Sequence, residues 1–381
     1  MARVIVIGSG IAGLSAAIHA SAAGHHVVIL EKASRIGGRG TSQNKDTFSL
    51  HYGPHLLDKK GPFYKLCRTL SRVRISTAPL RLDKIEIVGA GLLRPTGNIS
   101  KVIETKKALK AKNPKNPIFK SSEYISSWGL GFNKPRWNSF LKSKLCVSNE
   151  GWIGLIGRLA AALDEIGVLI ETKSEVKSIK DKKIKLKNGR MVECDAIILA
   201  CGFNGAKKLL NNIDSKLSDE VFSRGTRITA SVIEAGITSK PMAGKQCIID
   251  QPSGMAIIDY VGIQPRLNIT GSHISAIAVG GLKSDNGDTI FQSPDERADK
   301  LESFLDSQIS GWKDHIVTEM RQETITLGHS KAVDGMAFKH HGVLLAGAWV
   351  QSEYILADAA AQSGIIAGQS LKTLANVKTL E

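Results

Sequence analysis

The sequence predicts an α/β fold in which the two ends of the chain build one parallel, doubly wound sheet and an α+β domain is inserted between them. Three observations carry that expectation. A β-branched run near the N-terminus passes through a glycine-rich turn into an alanine-rich helix and then a second apolar run. Another apolar run followed by an alanine-rich helix closes the chain, and the material between has a different, glycine-interrupted strand pattern. With 42% hydrophobic residues, 381 positions hold one large core or two ordinary ones, which excludes a disordered chain. No stretch offers the roughly 20 uninterrupted apolar residues of a membrane span. Glycines break the first apolar run at once, so it does not read as a secretory signal, and a cytoplasmic location is expected.

Val4, Ile5, Val6 and Ile7 form the pattern of a parallel strand buried on both faces. Gly8-Ser9-Gly10-Ile11-Ala12-Gly13 follows, then helix-favouring residues through Ala23, ended by Gly24. Val27 to Leu30 is a second buried strand closed by Glu31. This is the order of a dinucleotide-binding βαβ unit, and each glycine has its own reason. Gly8 permits the tight turn, Gly10 admits backbone amides to a pyrophosphate, and Gly13 lets helix and strand pack closely. Ile11 and Ala12 open a helix whose free N–H groups favour phosphate. Glu31, 18 residues beyond Gly13, accepts hydrogen bonds from an adenosine ribose and repels a 2′-phosphate. An adenine dinucleotide without that phosphate is expected.

Further on, residues 154–166 carry an amphipathic helix stopped by Gly167, and residues 168–170 a third strand. Alternating runs over 175–192, divided at Lys180 to Lys183 and at Asn188-Gly189, predict a small antiparallel meander. Residues 195–202 are another buried strand with a small-residue turn. Runs at 231–234, 256–260 and 273–279 predict a separate sheet, Pro294 opens a charged helix to about residue 310, and residues 343–347 and 358–374 supply the last strand and helix. The expected division is a discontinuous cofactor domain of residues 1–75, 150–210 and 325–381, and a substrate domain of residues 76–149 and 211–324. The net charge of +16 is uneven, at +19 over residues 1–200 and −3 over the remainder, with seven lysines in residues 101–120. That segment reads as a solvated insertion or as a surface for nucleic acid, anionic lipid or an acidic protein partner. Five cysteines at irregular spacing, without a C-x-x-C pair, read as reduced thiols.

Past the ribose acid lies Ile36-Gly37-Gly38-Arg39, which resembles the G-G-R element of the FAD-dependent amine oxidase and phytoene desaturase superfamily. Two glycines let the chain pass close to a pyrophosphate while Arg39 offers a guanidinium. Leu50-His51-Tyr52-Gly53-Pro54-His55-Leu56-Leu57 is similar to the segment that runs by the isoalloxazine in the phytoene-desaturase-like branch. Asn149-Glu150-Gly151-Trp152, Glu175-Val176, Ala200-Cys201-Gly202 and Gly311-Trp312 match that branch in order. Leu345 to Val350, followed by Leu356 to Gly364, resembles its C-terminal flavin motif, where a helix N-terminus faces the flavin O2/N1 edge.

The resemblance implies a Rossmann-like FAD-binding domain of the GR2 type with an inserted α+β substrate domain. It implies FAD contacts at Gly8, Gly10, Ile11, Ala12, Gly13, Glu31, Lys32, Gly37, Gly38, Arg39, Gly53, Pro54, His55, Val176, Ala200, Gly202, Gly347, Ala348, Leu356 and Ala359. One departure stands out: the family places Asp where this chain has Ala348. A hydrogen bond worth about 0.5–1.5 kcal/mol is lost with it.

The activity implied is an FAD-dependent oxidoreductase that dehydrogenates, desaturates or isomerises an apolar, isoprenoid-like substrate. The alternatives are an amine or protoporphyrinogen-type oxidase, or a low-turnover FAD-binding protein. His55 is the candidate catalytic residue, as a proton shuttle or as a packed histidine shaping the pocket. Trp349 and Tyr354 are candidate walls of the cavity, and His25-His26 and His340-His341 lack a third ligand at useful spacing, so no metal is expected. Partners are an apolar small molecule, an electron acceptor of unknown identity and, through the basic first half, an anionic membrane surface. Nucleic acid is not expected, because aromatics do not interleave the lysines of residues 101–120.

Overall fold

The computed structural model describes residues 1–70, 74–89, 91–92, 107, 145–223, 227–250, 252–281, 289–329 and 331–377. The expected lysine-rich segment, apart from Lys107, lies outside the described residues.

From the N-terminus the elements are β1 (Arg3–Ile7), α1 (Ile11–Ala22), β2 (His26–Leu30), the hairpin β3 (Ser42–Lys45) and β4 (Phe48–His51), β5 (Leu57–Asp58) and α2 (Pro62–Leu70). Next come β6 (Thr77–Pro79), β7 (Ile85–Ile87), β8 (Gly91–Leu92), β9 (Leu145–Ser148), α3 (Gly151–Glu165) and β10 (Leu169–Glu171). The meander is β11 (Val176–Lys180), β12 (Lys183–Leu186) and β13 (Met191–Glu193), followed by β14 (Ala196–Leu199), α4 (Phe203–Leu210) and α5 (Ser215–Phe222). The rest is β15 (Arg227–Ile237), β16 (Cys247–Asp250), β17 (Met255–Asp259), β18 (Ser272–Val279), α6 (Pro294–Gln308), β19 (Ile316–His329), β20 (Val343–Leu345) and α7 (Leu356–Val377).

The first sheet is parallel throughout, in the order β10-β2-β1-β14-β20. Ile5 sits opposite both Val28 and Ile197, and Ile198 opposite Leu344, so strands from both ends of the chain share one ladder. Val4 and Val6 point into a core shared with α1, α3 and α7, while Ile5 and Ile7 point into one shared with the meander, α4 and α5. Both faces are covered, which is why these strands read as unbroken apolar runs. Helix α7 crosses α1 closely: a Cβ at Gly364 or Gly368 would overlap the carbonyls of Ala12 and Ala16. That crossing fastens the C-terminal segment beside the N-terminal turn.

The second sheet has seven strands in the order β19-β15-β18-β17-β16-β7-β8. Its neighbours are antiparallel except β7 and β16. Ile233, Ala235 and Ile257 pack under α6, whose start is fixed by Ser293 accepting the Glu296 N–H at 3.1 Å and by Pro294 at its first position. The opposite face presents Val232, Ile258 and Ile277 toward Ile85, Val147 and Leu327, and Gly236 of β15 lies against Phe48 of the hairpin β3–β4. Strand β19 continues through His329, bringing Ile325, Thr326 and Leu327 to the boundary between the two sheets. Gly311 and Trp312 serve the core under α6: Gly311 takes a left-handed φ of 70° and buried Trp312 donates to Asp306 at 2.8 Å.

Candidate functional site

The carboxyl ends of β1 and β2, the N-terminus of α1 and the end of β19 surround a cleft of about 490 Å³. Gly8, with φ +105°, turns the chain out of β1 while its N–H donates to the Leu30 carbonyl at 2.8 Å. Gly37 lies across this turn, bridged to Gly10 and donating to the Ser9 carbonyl at 2.9 Å. A Cβ at Gly13 would overlap the Gly8 carbonyl, so that glycine sets the approach of α1 to the turn. A Cβ at Gly10 would meet no protein atom nearer than 4.0 Å; what it leaves open is the cleft itself. Helix α1 has neither a side-chain cap nor an acid in its first turn, leaving N–H donors and the positive end of the helix for an anion.

Glu31 is buried where β2 ends. Its Oε2 accepts from the Ser9 N–H at 2.8 Å and the Ser9 hydroxyl at 2.7 Å, and its Oε1 from the Ala33 N–H at 2.8 Å. These charge-assisted bonds fix the carboxylate and leave lone pairs for a ribose. Nearby, Glu175 is held below the usual carboxylate range, first by its hydrogen bond and ion pair with Lys187 and further by Lys32 and Lys208. Arg39 lines the cleft and donates to the Thr326 carbonyl of β19, tying the glycine strap to the second sheet.

The C-terminal segment supplies the facing wall. The Ser363 hydroxyl accepts the Gly347 N–H at 2.9 Å and donates to its carbonyl at 3.0 Å, which locks the turn after β20. Trp349 is buried over Gly347 with its indole N–H unpartnered. Leu356 starts α7 in a left-handed conformation, φ 52°, a strain of about 1–2 kcal/mol for a residue with a Cβ, and its side chain lines the cleft beside Ala357 and Ala360. Asp358, in the first turn of α7, accepts the Phe63 N–H of α2 at 3.0 Å. Burial pushes its carboxyl up to about 7, with the charge of Asp58 adding to the effect.

His55 closes the inner end. Its N–H donates to the Tyr260 hydroxyl at 2.7 Å, its carbonyl accepts the Trp152 indole N–H at 2.6 Å, and its Nδ1 meets the Gly53 carbonyl. The Nδ1 contact with the Gly53 carbonyl calls for the proton on Nδ1, and Nε2 is buried without a hydrogen-bond partner. Burial lowers the pKa to about 4 against the pull of the Gly53 and Arg39 carbonyls, so the ring is neutral at pH 7. His51 stacks behind it at 4.2 Å between centroids and is driven well below the ordinary histidine range, first by burial and then by His55 and His273.

Gly8, Gly10, Ile11, Ala12, Glu31, Lys32, Gly37, Gly38, Arg39, Pro54, His55, Val176, Ala200, Gly202, Gly347, Ala348 and Leu356 thus line one cleft. Gly13, Gly53 and Ala359 stand behind its wall, Gly53 against Ile325 and Ala359 buried in α7. Of the two aromatic candidates, Trp349 lines the cleft and Tyr354 does not. Sequence reasoning passed over Ile325, Thr326, Leu327, Lys208 and Leu209 as lining residues, since no motif marks them. It named Trp152 and Cys201 only as parts of motifs. The Cys201 thiol is pushed up to about 12 by burial, which keeps it protonated and inert. Among the described residues, Glu234 and His273 join His51 in a buried cluster that the expectation of no metal did not consider.

A parallel sheet with a glycine turn, a ribose acid and a second chain end closing the pocket defines a nucleotide-dependent redox protein. The family model for FAD dependent oxidoreductases matches residues 3–311, and the chain belongs to that family. Its cofactor is FAD. Local matches include 4,4'-diapolycopene oxygenase of Methylomonas sp, 47% identical over 55 residues, 14% of this chain. Another is L-amino-acid oxidase of Crotalus adamanteus, 43% identical over 58 residues, 15% of this chain. Each match spans 11% of the relative's length. Among solved structures, a protein of Pyrococcus furiosus superposes with a TM-score of 0.71 at 17% identity, covering 97% of this chain and 98% of that one. A fatty acid isomerase from P. acnes gives 0.65 at 13% identity, covering 98% of each. At such identities these two show the shared fold.

The residues present fit FAD on their own evidence: Gly10 keeps a cradle open, α1 is uncapped, and the cleft carries an unpartnered donor on Trp349 and an unpartnered acceptor on His55.

Asp358 yields a pH prediction. Its folded pKa stands above its unfolded value of 3.8, so its contribution to stability is full below about pH 4 and lost as pH rises through about 7. Asp358→Asn keeps an acceptor for the Phe63 N–H without the ionisation. Thermal melts should show the variant at least as stable as wild type at pH 8, with a flatter stability profile between pH 4 and 7.

Proposed function

We propose that this chain uses FAD to dehydrogenate, desaturate or isomerise an apolar, isoprenoid-like small molecule. The observation that carries the reading is the chemistry of the wall near His55. Trp152, Ile325, Leu327 and Leu356 border the cleft there, continuous with the apolar sheet face of Val232, Ile258 and Ile277. Lys32 and Lys208, the lysines among the described lining residues, both act on Glu175 beside the ribose acid and so stand away from that wall. Arg39 is the charged group at this wall, and its guanidinium is engaged by the Thr326 carbonyl; the side chains around it exclude water and orient an apolar chain. FAD supplies the hydride-accepting centre.

His55 is neutral at physiological pH, and the burial that lowers its basicity fits it to shape the inner end of the pocket. The start of α7, at Leu356 and Ala357, lies on the opposite wall, where the positive end of the helix would stabilise negative charge on a reduced cofactor. The likeness to a 4,4'-diapolycopene oxygenase and to a fatty acid isomerase supports the reading. Oxidation of an amine is the second reading, favoured by the local identity to L-amino-acid oxidases.

We further propose that the basic first half, +19 over residues 1–200, rests on anionic membrane, the phase in which such substrates dissolve. None of the described helices is long and apolar enough to cross a membrane.

Anaerobic mixing of the holoprotein with extracted isoprenoid lipids should bleach the oxidised-flavin band on dehydrogenation or desaturation, or, on redox-neutral isomerisation, convert the lipid with the band retained, while amines and amino acids neither bleach it nor are converted. Bleaching by amines, with hydrogen peroxide on admission of oxygen, would replace this reading with the second. Co-sedimentation should recover the protein with anionic vesicles and leave it in the supernatant with neutral ones; equal recovery from both would remove the membrane proposal.

A further inference from the structure

The face of the second sheet that looks toward the cleft is apolar except at one place. Glu234 of β15 and His273 and Ser275 of β18 form a polar island there, and all three are buried. A buried carboxylate is costly unless its charge is compensated. Glu234 Oε2 meets His273 Nε2 at 2.5 Å and accepts the His51 N–H at 3.2 Å, while Oε1 accepts the Ser275 hydroxyl. His51 comes from the hairpin β3–β4 packed over this face, and its ring Nδ1, 4.0 Å from Glu234 Oε2, is buried without a hydrogen-bond partner.

Two imidazoles and one carboxylate from three separate strands therefore aim donor atoms at one point, all within 4.8 Å of one another. Zinc–nitrogen and zinc–oxygen bonds are about 2.0–2.2 Å long, so two ligands of one ion stand roughly 3–4 Å apart. The present separations of 2.5 and 4.0 Å lie on either side of that range, and small side-chain shifts equalise them. The Ser275 hydroxyl and the His51 N–H already orient the carboxylate, the outer-shell support that built metal sites have.

We propose that His51, Glu234 and His273 bind one divalent ion of the zinc class. The donor set of two nitrogens and one oxygen suits Zn²⁺ or Co²⁺ and is poor for Ca²⁺ or Mg²⁺, which require oxygen cages. The ion pins the hairpin to the second sheet. His55 stacks on His51, so the pin fixes the inner wall of the flavin cleft from behind. Its role is one of position: His55 stands between the cluster and the cleft.

The test uses untagged holoprotein, stripped with chelator and titrated with Co²⁺ and Zn²⁺. One equivalent should bind, with a Co²⁺ visible spectrum typical of low coordination number and a rise in melting temperature. X-ray absorption on the zinc form should show two imidazoles in the first shell. His51→Ala leaves the Glu234–His273 pair intact; with its fold confirmed by circular dichroism, its metal affinity should fall by at least about tenfold. Mg²⁺ should not compete. Failure of the wild type to bind either ion at stoichiometric concentration overturns the proposal. So does unchanged stoichiometry and affinity in His51→Ala, which would place the ion elsewhere, as at His25-His26 or His340-His341. If His51→Ala does not fold, the wild-type absorption spectrum decides alone: fewer than two imidazoles contradicts the site.

Discussion

The Glu31 carboxylate is the fixed point of this molecule. Three donors converge on it, two from Ser9 in the glycine turn and one from Ala33 beyond β2, so the ends of two adjacent strands are joined through a single buried acid. Because the bonds are charge-assisted, the turn cannot drift from β2 without leaving a buried charge unsatisfied. The glycine strap at Gly37 is laid over the same turn by its bond to Ser9. Through Arg39 it reaches the last residues of β19, so the position of the second sheet traces back to the same acid.

The opposite wall depends on a different kind of constraint. Helix α7 reaches the cleft because Gly364 and Gly368 allow it to lie directly on α1. Ser363, in the same helix, clamps Gly347 at the exit of β20. Packing thus positions the C-terminal residues, whereas hydrogen bonding positions the N-terminal ones. Ala348 sits on that C-terminal wall, half-buried, with a methyl group where the family's carboxylate would accept hydrogen bonds. The neighbouring unpartnered N–H of Trp349 is a donor, not an acceptor, and does not replace it.

The first sheet was legible because its physics is local. A strand covered on both faces must be apolar at every position, and a turn that admits a phosphate must lack Cβ atoms at fixed offsets; both rules act on neighbouring residues. The helices at residues 151–165 and 294–308 were readable from period and caps to within three residues at their starts and two at their ends. Helix α7 begins two residues before the expected start because Leu356 adopts a left-handed φ that no propensity favours. What escaped was long-range. Ile325 to Leu327 reach the cleft only because β19 is the edge strand of a sheet whose order interleaves distant segments. Glu234 and His273 carry no motif, and pairing between β15 and β18 with the hairpin laid across them is what brings both to His51. In a single sequence, a glutamate inside an apolar strand is visible as an anomaly but its partners are not.

The most direct measurement is equilibrium titration of FAD into apoprotein, wild type beside Glu31→Ala, with circular dichroism to confirm that both are folded. The account predicts one FAD per wild-type chain and binding at least about tenfold weaker in the variant, since a tenfold change corresponds to about 1.4 kcal/mol, the scale of one charge-assisted bond. Equal affinity in the two proteins, or a wild-type chain that takes up no flavin, would contradict it.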